Sequence, residues 1–171
     1  MINENVEQAM NKQINAELYS AYLYQSMAAY FESEDLDGFS AWMKVQAMEE
    51  TTHAQKFFDF INERGGRVKL TAIEAPKTDW NSPLEAFQDA YEHETKVTAL
   101  IDDLVKTARE ANDNASEIFL QWFVTEQVEE EASADEVVQK LKWVQDSPHA
   151  VYMLNQELGN RTFTSGADEG E

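Results

Sequence analysis

Residues 36–66 read LDGFSAWMKVQAMEETTHAQKFFDFINERGG. Steps of three and four through this stretch pick out Phe39, Met43, Gln46, Glu50, His53, Phe57 and Phe60, which is the spacing of one face of an α-helix. The face is apolar at both ends and ionisable in its middle. It closes at Gly65-Gly66, a pair suited to the left-handed turn that stops a helix. A helix of this length with one apolar stripe needs other helices to cover it, and the Glu and His within the stripe need partners arriving from those helices. The stretch therefore predicts an all-α helical bundle with a polar layer across its middle.

Working outward, residues 4–32 contain no Gly or Pro and carry the same kind of seam: Met10, Ile14, Glu17, Ala21, Tyr24, Ala28 and Phe31. Asp35–Gly38 interrupts the pattern, so the first two helices form an antiparallel hairpin. Residues 65–81 have no clear period and hold Pro76 and Asp79, which makes them a long crossover. Ser82-Pro83-Leu84-Glu85 then combines an N-cap Ser, a Pro at the first helical position and a Glu three residues beyond the cap. The third helix should run to about Ala111 with the seam Leu84, Phe87, Tyr91, Glu94, Thr98, Ile101 and Val105. Asn112-Asp113-Asn114 breaks it. The fourth, from about Ala115 to Gln145, presents Leu120, Phe123, Gln127, Glu130, Ala134, Val137 and Leu141. Ser147-Pro148 repeats the start signal for a short fifth C-terminal helix ending at Gly159-Asn160. The expected organisation is one domain over 1–160, a four-helix bundle with one long crossover and a terminal helix, followed by an acidic tail, 161–171, expected to be disordered.

Composition narrows the function. With 13 Lys and Arg against 33 Asp and Glu the net charge is −20, which disfavours nucleic acid and anionic membrane surfaces and favours a cationic partner. Zero cysteines exclude a disulfide scaffold, a thiol nucleophile and a thiolate metal site, so any metal would have oxygen and nitrogen ligands. The N-terminus has no basic and apolar leader pattern, and no apolar run reaches membrane-spanning length, so a cytoplasmic location is expected.

Measured from the two hairpin turns at ~1.5 Å per residue, Glu17 and Glu50 fall at one height, as do Glu94, Gln127 and Glu130. Four carboxylates, the His53 imidazole and the Gln127 amide would thus converge inside the bundle, where unpaired carboxylates are costly. A pair of metal ions resolves the conflict, since carboxylates can bridge two metals and Glu50-x-x-His53 sets two ligands on one face; oxygen-rich ligation favours iron or manganese over structural zinc. A seam displaced by one position would instead leave an ordinary bundle with solvated Glu residues. Glu49, Glu126 and Glu129 lie one step off the seam at the same height and suggest a third cation site leading outward. His93 and His149 lie outside the coincidence and read as surface residues. The Phe57, Phe58, Phe60 group and the Trp residues read as core or subunit interface, with Trp122 near Glu126 as an exception.

The residues Glu17-Leu18-Tyr19-Ser20 with Tyr24, Glu49-Glu50-Thr51-Thr52-His53, Glu94, and Phe119-Leu120-Gln121-Trp122-Phe123 leading into Glu126-Gln127-Val128-Glu129-Glu130-Glu131 resemble the ferritin family, in particular its non-heme prokaryotic type, over about residues 5–160. The fourth helix carries Gln127-x-x-Glu130 in place of the second Glu-x-x-His found in bacterioferritins and rubrerythrins. Thr51 and Thr52 stand where bacterioferritins place a heme-binding Met, so no heme is expected. The mini-ferritins, with sites between subunits and no comparable fifth helix, fit poorly. The resemblance implies iron storage and detoxification by a ferroxidase that oxidises Fe(II) with dioxygen or peroxide at an intrasubunit di-iron centre, within a hollow cage of twenty-four identical subunits. It further implies that Glu50 bridges two irons, Glu17 and His53 complete one site, Glu94 and Glu130 the other, and Gln127 serves as weak ligand or hydrogen-bond partner. Tyr24 would bond a ligand and donate an electron, and Glu49, Glu126, Glu129 and Glu130 would form a third iron site.

Two other classes remain open at this point. One is a slow cage or metal buffer whose central cluster is structural. The other is a di-iron oxygenase acting on an organic substrate, which needs an apolar pocket beside the metals.

Overall fold

Helix boundaries follow the capping chemistry. In the computed structural model, which describes residues 1–163, the helices are α1 (Glu4–Ser33), α2 (Asp37–Glu63), α3 (Pro83–Glu110), α4 (Asn114–Val144) and α5 (Pro148–Leu158). The side chains of Ser82, Asp113 and Ser147 accept the backbone N–H groups of Glu85, Ser116 and Ala150 and so start α3, α4 and α5, with Pro83 and Pro148 in the first turns. Three helices stop in the same way. Leu36, Gly66 and Asp113 donate their N–H back to Phe31, Ile61 and Ala108 at 2.9, 2.9 and 3.0 Å, across a left-handed residue: Asp35 (φ 56°), Gly65 (φ 72°) and Asn112 (φ 53°). Sequence reading finds the breaks because Gly, Asn and Asp are the residues that enter this region at least cost.

The crossover is strapped along α1. Asn11 accepts the Lys69 N–H at 2.6 Å and donates to the Arg67 carbonyl at 3.1 Å, Asn15 donates to Ala72 at 3.0 Å, and Ser26 to Lys77 at 2.7 Å. Both sets of numbers ascend together, so the connection runs parallel to α1 and delivers α3 to the end where α2 begins. The two hairpins, α1–α2 and α3–α4, therefore pack with α2 and α3 parallel.

Two apolar clusters fill the ends of the bundle. One gathers Phe31, Phe39, Trp42, Met43, Phe87 and, from α5, Leu154; the other gathers Met10, Phe57, Ile61, Ile101, Leu120 and Phe123. Between them lies a polar belt of Gln13, Glu17, Ser20, Gln46, Glu50, His53, Glu94, Gln127 and Glu130, all buried. Seam positions shift on two helices: on α3, Leu84, Tyr91 and Thr98 are half-buried while Ala90 and Val97 lie inside, and on α2, Phe60 is half-buried, stacked on Phe119 at 3.9 Å, and Ile61 takes the interior place. A stride alternating three and four slips against the true helical period by about 20° per heptad, so three heptads after Phe39 the interior falls one residue later.

α5 caps the open end of the bundle against α2 and α4. It is seated at Gly38, where a Cβ would lie 1.7 Å from the Asn155 carbonyl oxygen, while the Asn155 side chain accepts the Phe39 N–H at 2.9 Å. Beyond α5 the described chain continues through Arg161 to Phe163; residues 164–171, most of the expected tail, lie outside the described residues. Among the described residues no helix is long and apolar enough to cross a membrane.

Candidate metal centre

Each of the four bundle helices contributes to the belt from the middle of its buried face. α1 supplies Glu17 and Tyr24, α2 supplies Gln46, Glu50 and His53, α3 supplies Glu94, and α4 supplies Gln127 and Glu130. Ligand atoms of Glu17, Glu50 and His53 lie within 4.8 Å of one another, as do those of His53, Glu126 and Glu130. His53 is thus shared, its Nδ1 3.6 Å from Glu50 and its Nε2 3.8 Å from Glu126. Those separations exceed hydrogen-bond length and leave the imidazole between two carboxylates without a bond to either.

Hydrogen bonds hold the other carboxylates in place. Gln13 donates to Glu17 at 2.8 Å, and Gln46 donates to Glu130 at 2.7 Å. The Tyr24 hydroxyl donates to Glu94 Oε1, and the Gln127 amide donates to Glu94 Oε2 at 3.3 Å. Glu50 stands apart: both its carboxylate oxygens are buried without a hydrogen-bond partner among the described residues.

The electrostatics follow from this crowding. Burial, then Glu94, raises Glu50 well above the ordinary carboxylate range, with His53 opposing. Burial and Glu130 push Glu94 up to about 8, and burial raises Glu130 too. Burial alone would depress His53, but Glu126 and Glu50 outweigh it and hold the imidazole well above its usual value. Tyr24 is raised by burial and by Glu94, so it stays a neutral phenol. Each shift has the sign expected of negative groups crowded without a compensating cation.

Outside the belt, Glu49, Glu126 and Glu129 meet Glu130 and His53 in the wall of a polar pocket of about 370 Å³. Glu49 and Glu126 are half-buried and Glu129 is exposed. Burial pushes Glu49 up to about 7, against the pull of Arg161. Trp122 also lines this pocket, its ring edge-on to His53 at 5.4 Å.

His93 departs from expectation. It is half-buried beside Tyr19 and Tyr24, its Nε2 2.7 Å from Ser20 Oγ, and burial lowers its pKa to about 4. His149 is exposed, as expected. Sequence reading missed Gln13 and Arg161. Gln13 lies four residues before Glu17 on the same face, a usable signal; Arg161 reaches the pocket only through the docking of α5.

Comparison with known proteins places this arrangement. The ferritin-like domain model matches residues 7–144, a span that holds every belt residue. The chain belongs to the ferritin family. It is 44% identical to a bacterial non-heme ferritin of Bacteroides fragilis over 161 residues, 94% of this chain and all of that one. A bacterial non-heme ferritin of Staphylococcus aureus is 40% identical over 163 residues, 95% of this chain and 98% of the other. Among solved structures, an engineered closed form of Archaeoglobus fulgidus ferritin superposes with a TM-score of 0.95 at 55% identity, covering 96% of this chain and all of that one. The open-pore ferritin of the same archaeon gives 0.94 at 54% identity, covering 95% of this chain and all of that one. As a ferritin, the chain is an iron-storage protein with ferroxidase activity, an oxidoreductase that takes iron as substrate.

Proposed function

We propose that the belt binds two Fe(II) ions per subunit and oxidises them with dioxygen. The observation that carries this is Glu50, central among carboxylates from all four bundle helices with both oxygens buried and unpartnered among the described residues. Such a group costs stability unless a cation arrives. Glu50 bridges the two irons, Glu17 and His53 hold one, Glu94 and Glu130 hold the other, and Gln127 completes the second as a weak ligand or through its bond to Glu94.

Binding and proton release are coupled. Because Glu50 and Glu94 keep their protons when no metal is present, loading iron near neutral pH expels them. Two Fe(II) ions together supply two electrons, which with two protons carry one dioxygen to hydrogen peroxide. Tyr24, neutral and bonded to Glu94, supplies one of the two electrons, and a third Fe(II) the other, that with two protons reduce the peroxide to two waters, the phenol proton passing to Glu94. Glu49, Glu126, Glu129 and Glu130 form a third iron site through which ferric product leaves for a mineral inside a hollow cage of identical subunits, twenty-four in number. The cytoplasm, where Fe(II) is available, is the proposed location.

The pocket at His53 and Glu130 is lined mainly by charged and hydroxyl groups, with Trp122 and Phe163 beside them, which suits a cation. A second pocket, at Gln127, is more apolar, with Tyr91, Ile101, Val124 and Val128 in its wall, and keeps an oxygenase as a second reading. A purely structural cluster is the other rival. Anaerobic Fe(II) titration followed by rapid mixing with oxygen separates it from the di-iron reading. An absorbance transient saturating near two irons per subunit and lost in Glu50→Ala is expected. Equal initial oxidation rates in the two proteins, scaling with surface-bound iron, would leave the cluster structural.

A further inference from the structure

Arg161 sits one turn beyond α5, and its guanidinium enters the outer pocket. Nη2 donates to Glu49 Oε2 at 2.8 Å, and the guanidinium carbon lies 4.6 Å from the centre of the Trp42 ring. Nη1 is buried and meets no partner among the described residues. A guanidinium carries five donors, and this one spends a single hydrogen bond on a carboxylate, an incomplete arrangement for a purely structural anchor. Its position is nevertheless well determined, because α5 is seated against Gly38 and Gly159 also abuts that residue. Lys56 rests on the Trp122 ring at 4.1 Å and His53 lies between Glu50 and Glu126, which leaves Arg161 as the positive charge hydrogen-bonded to Glu49.

We propose that Arg161 is the resident counter-cation of the outer carboxylate group, and that a metal ion bound by Glu49 takes its place by displacing the guanidinium. The inference rests on the reading above that Glu49, Glu126 and Glu129 receive a cation. Glu49 cannot serve the guanidinium and a metal with the same oxygen, so the two compete. The outer site is then weaker than its carboxylate count alone would make it, and an ion arriving from the belt is passed on and not retained. The Trp42 face gives the displaced side chain a place to remain.

The test is calorimetric titration of the assembled full-length protein with Zn(II), which probes the sites without redox chemistry. Wild type, Arg161→Gln, Arg161→Met, Arg161→Lys and Glu49→Gln are compared after their unfolding temperatures are matched. The neutral variants should tighten the outer binding step by about tenfold, the effect of removing one like charge a few ångström from a partly buried ion. Arg161→Lys should stay near wild type, Glu49→Gln should lose the outer step, and the inner step should be unchanged throughout. An outer step equal to or weaker than wild type in both neutral variants would overturn the proposal, as would its absence from every protein. Failure of the di-iron reading would show separately, as a missing inner step in wild type.

Discussion

Glu50 shows how a single residue exchanges stability for chemistry. In the metal-free protein its carboxylate is held protonated by burial and by its acidic neighbours, and Glu94 behaves alike, up to about 8. The folded state therefore binds protons that the unfolded chain has released, and stability falls as pH rises from the ordinary glutamate value near 4.5 toward 8. Glu50→Gln should raise the unfolding temperature of metal-free protein at pH 8 by at least about 3 °C, while abolishing the fast phase of Fe(II) oxidation. Calorimetry across pH checks both the gain and its disappearance below pH 4.5. The belt carboxylates were legible in the sequence because a helical stride exposes any ionisable residue on an otherwise apolar face. His93 was not legible: it stands beside Glu94 but off the seam, and it is enclosed only because Ser20, Tyr19 and Tyr24 of α1 close over it.

At the scale of elements, helix ends carry the specificity. Asp113 caps α4, accepts the Asn3 N–H at 3.3 Å where α1 begins, and pairs with Arg64 at 3.0 Å where α2 ends. Burial alone would raise its pKa, yet Arg64 and the two N–H groups bring it below the usual 3.8. The stabilisation is thus complete above pH 3.8 and is lost as pH falls below it. Asp113→Asn keeps a competent cap but removes the charge, so about 1 kcal/mol should disappear at neutral pH, and the gap from wild type should close in acid denaturation below pH 3.8. α5 offers a steric test. Gly38→Ala drives a methyl into the Asn155 carbonyl, with an expected cost of about 1–3 kcal/mol and new proteolytic cleavage between Gln145 and Pro148 as α5 lifts. Capping and turn chemistry made the helix boundaries readable to within a residue or two. The seating of α5, and with it the placement of Arg161, depends on the absence of a side chain at Gly38, a contact between residues more than a hundred positions apart that no local pattern records.

The whole molecule carries a charge of −20, and its stability should respond to salt accordingly. Raising ionic strength from about 0.01 to 0.15 M shortens the screening length from about 30 to 8 Å, which should raise the unfolding temperature of metal-free protein by several degrees. A flat or falling dependence would mean that local ion pairs outweigh the net repulsion. The polar belt has a further consequence for assembly of the chain itself. A bundle whose seams were apolar throughout could slip one helix by a turn, about 5.4 Å, and still bury oil against oil. Here such a slip of α4 would carry Gln127 toward the Phe57 end or Glu130 toward the Met43 and Phe87 end, and would leave Gln46 on α2 without Glu130 as its acceptor. The same residues that receive iron therefore act as a vernier, making every misaligned register of the two hairpins a state with buried orphaned charge. The correct alignment is selected before any metal is present.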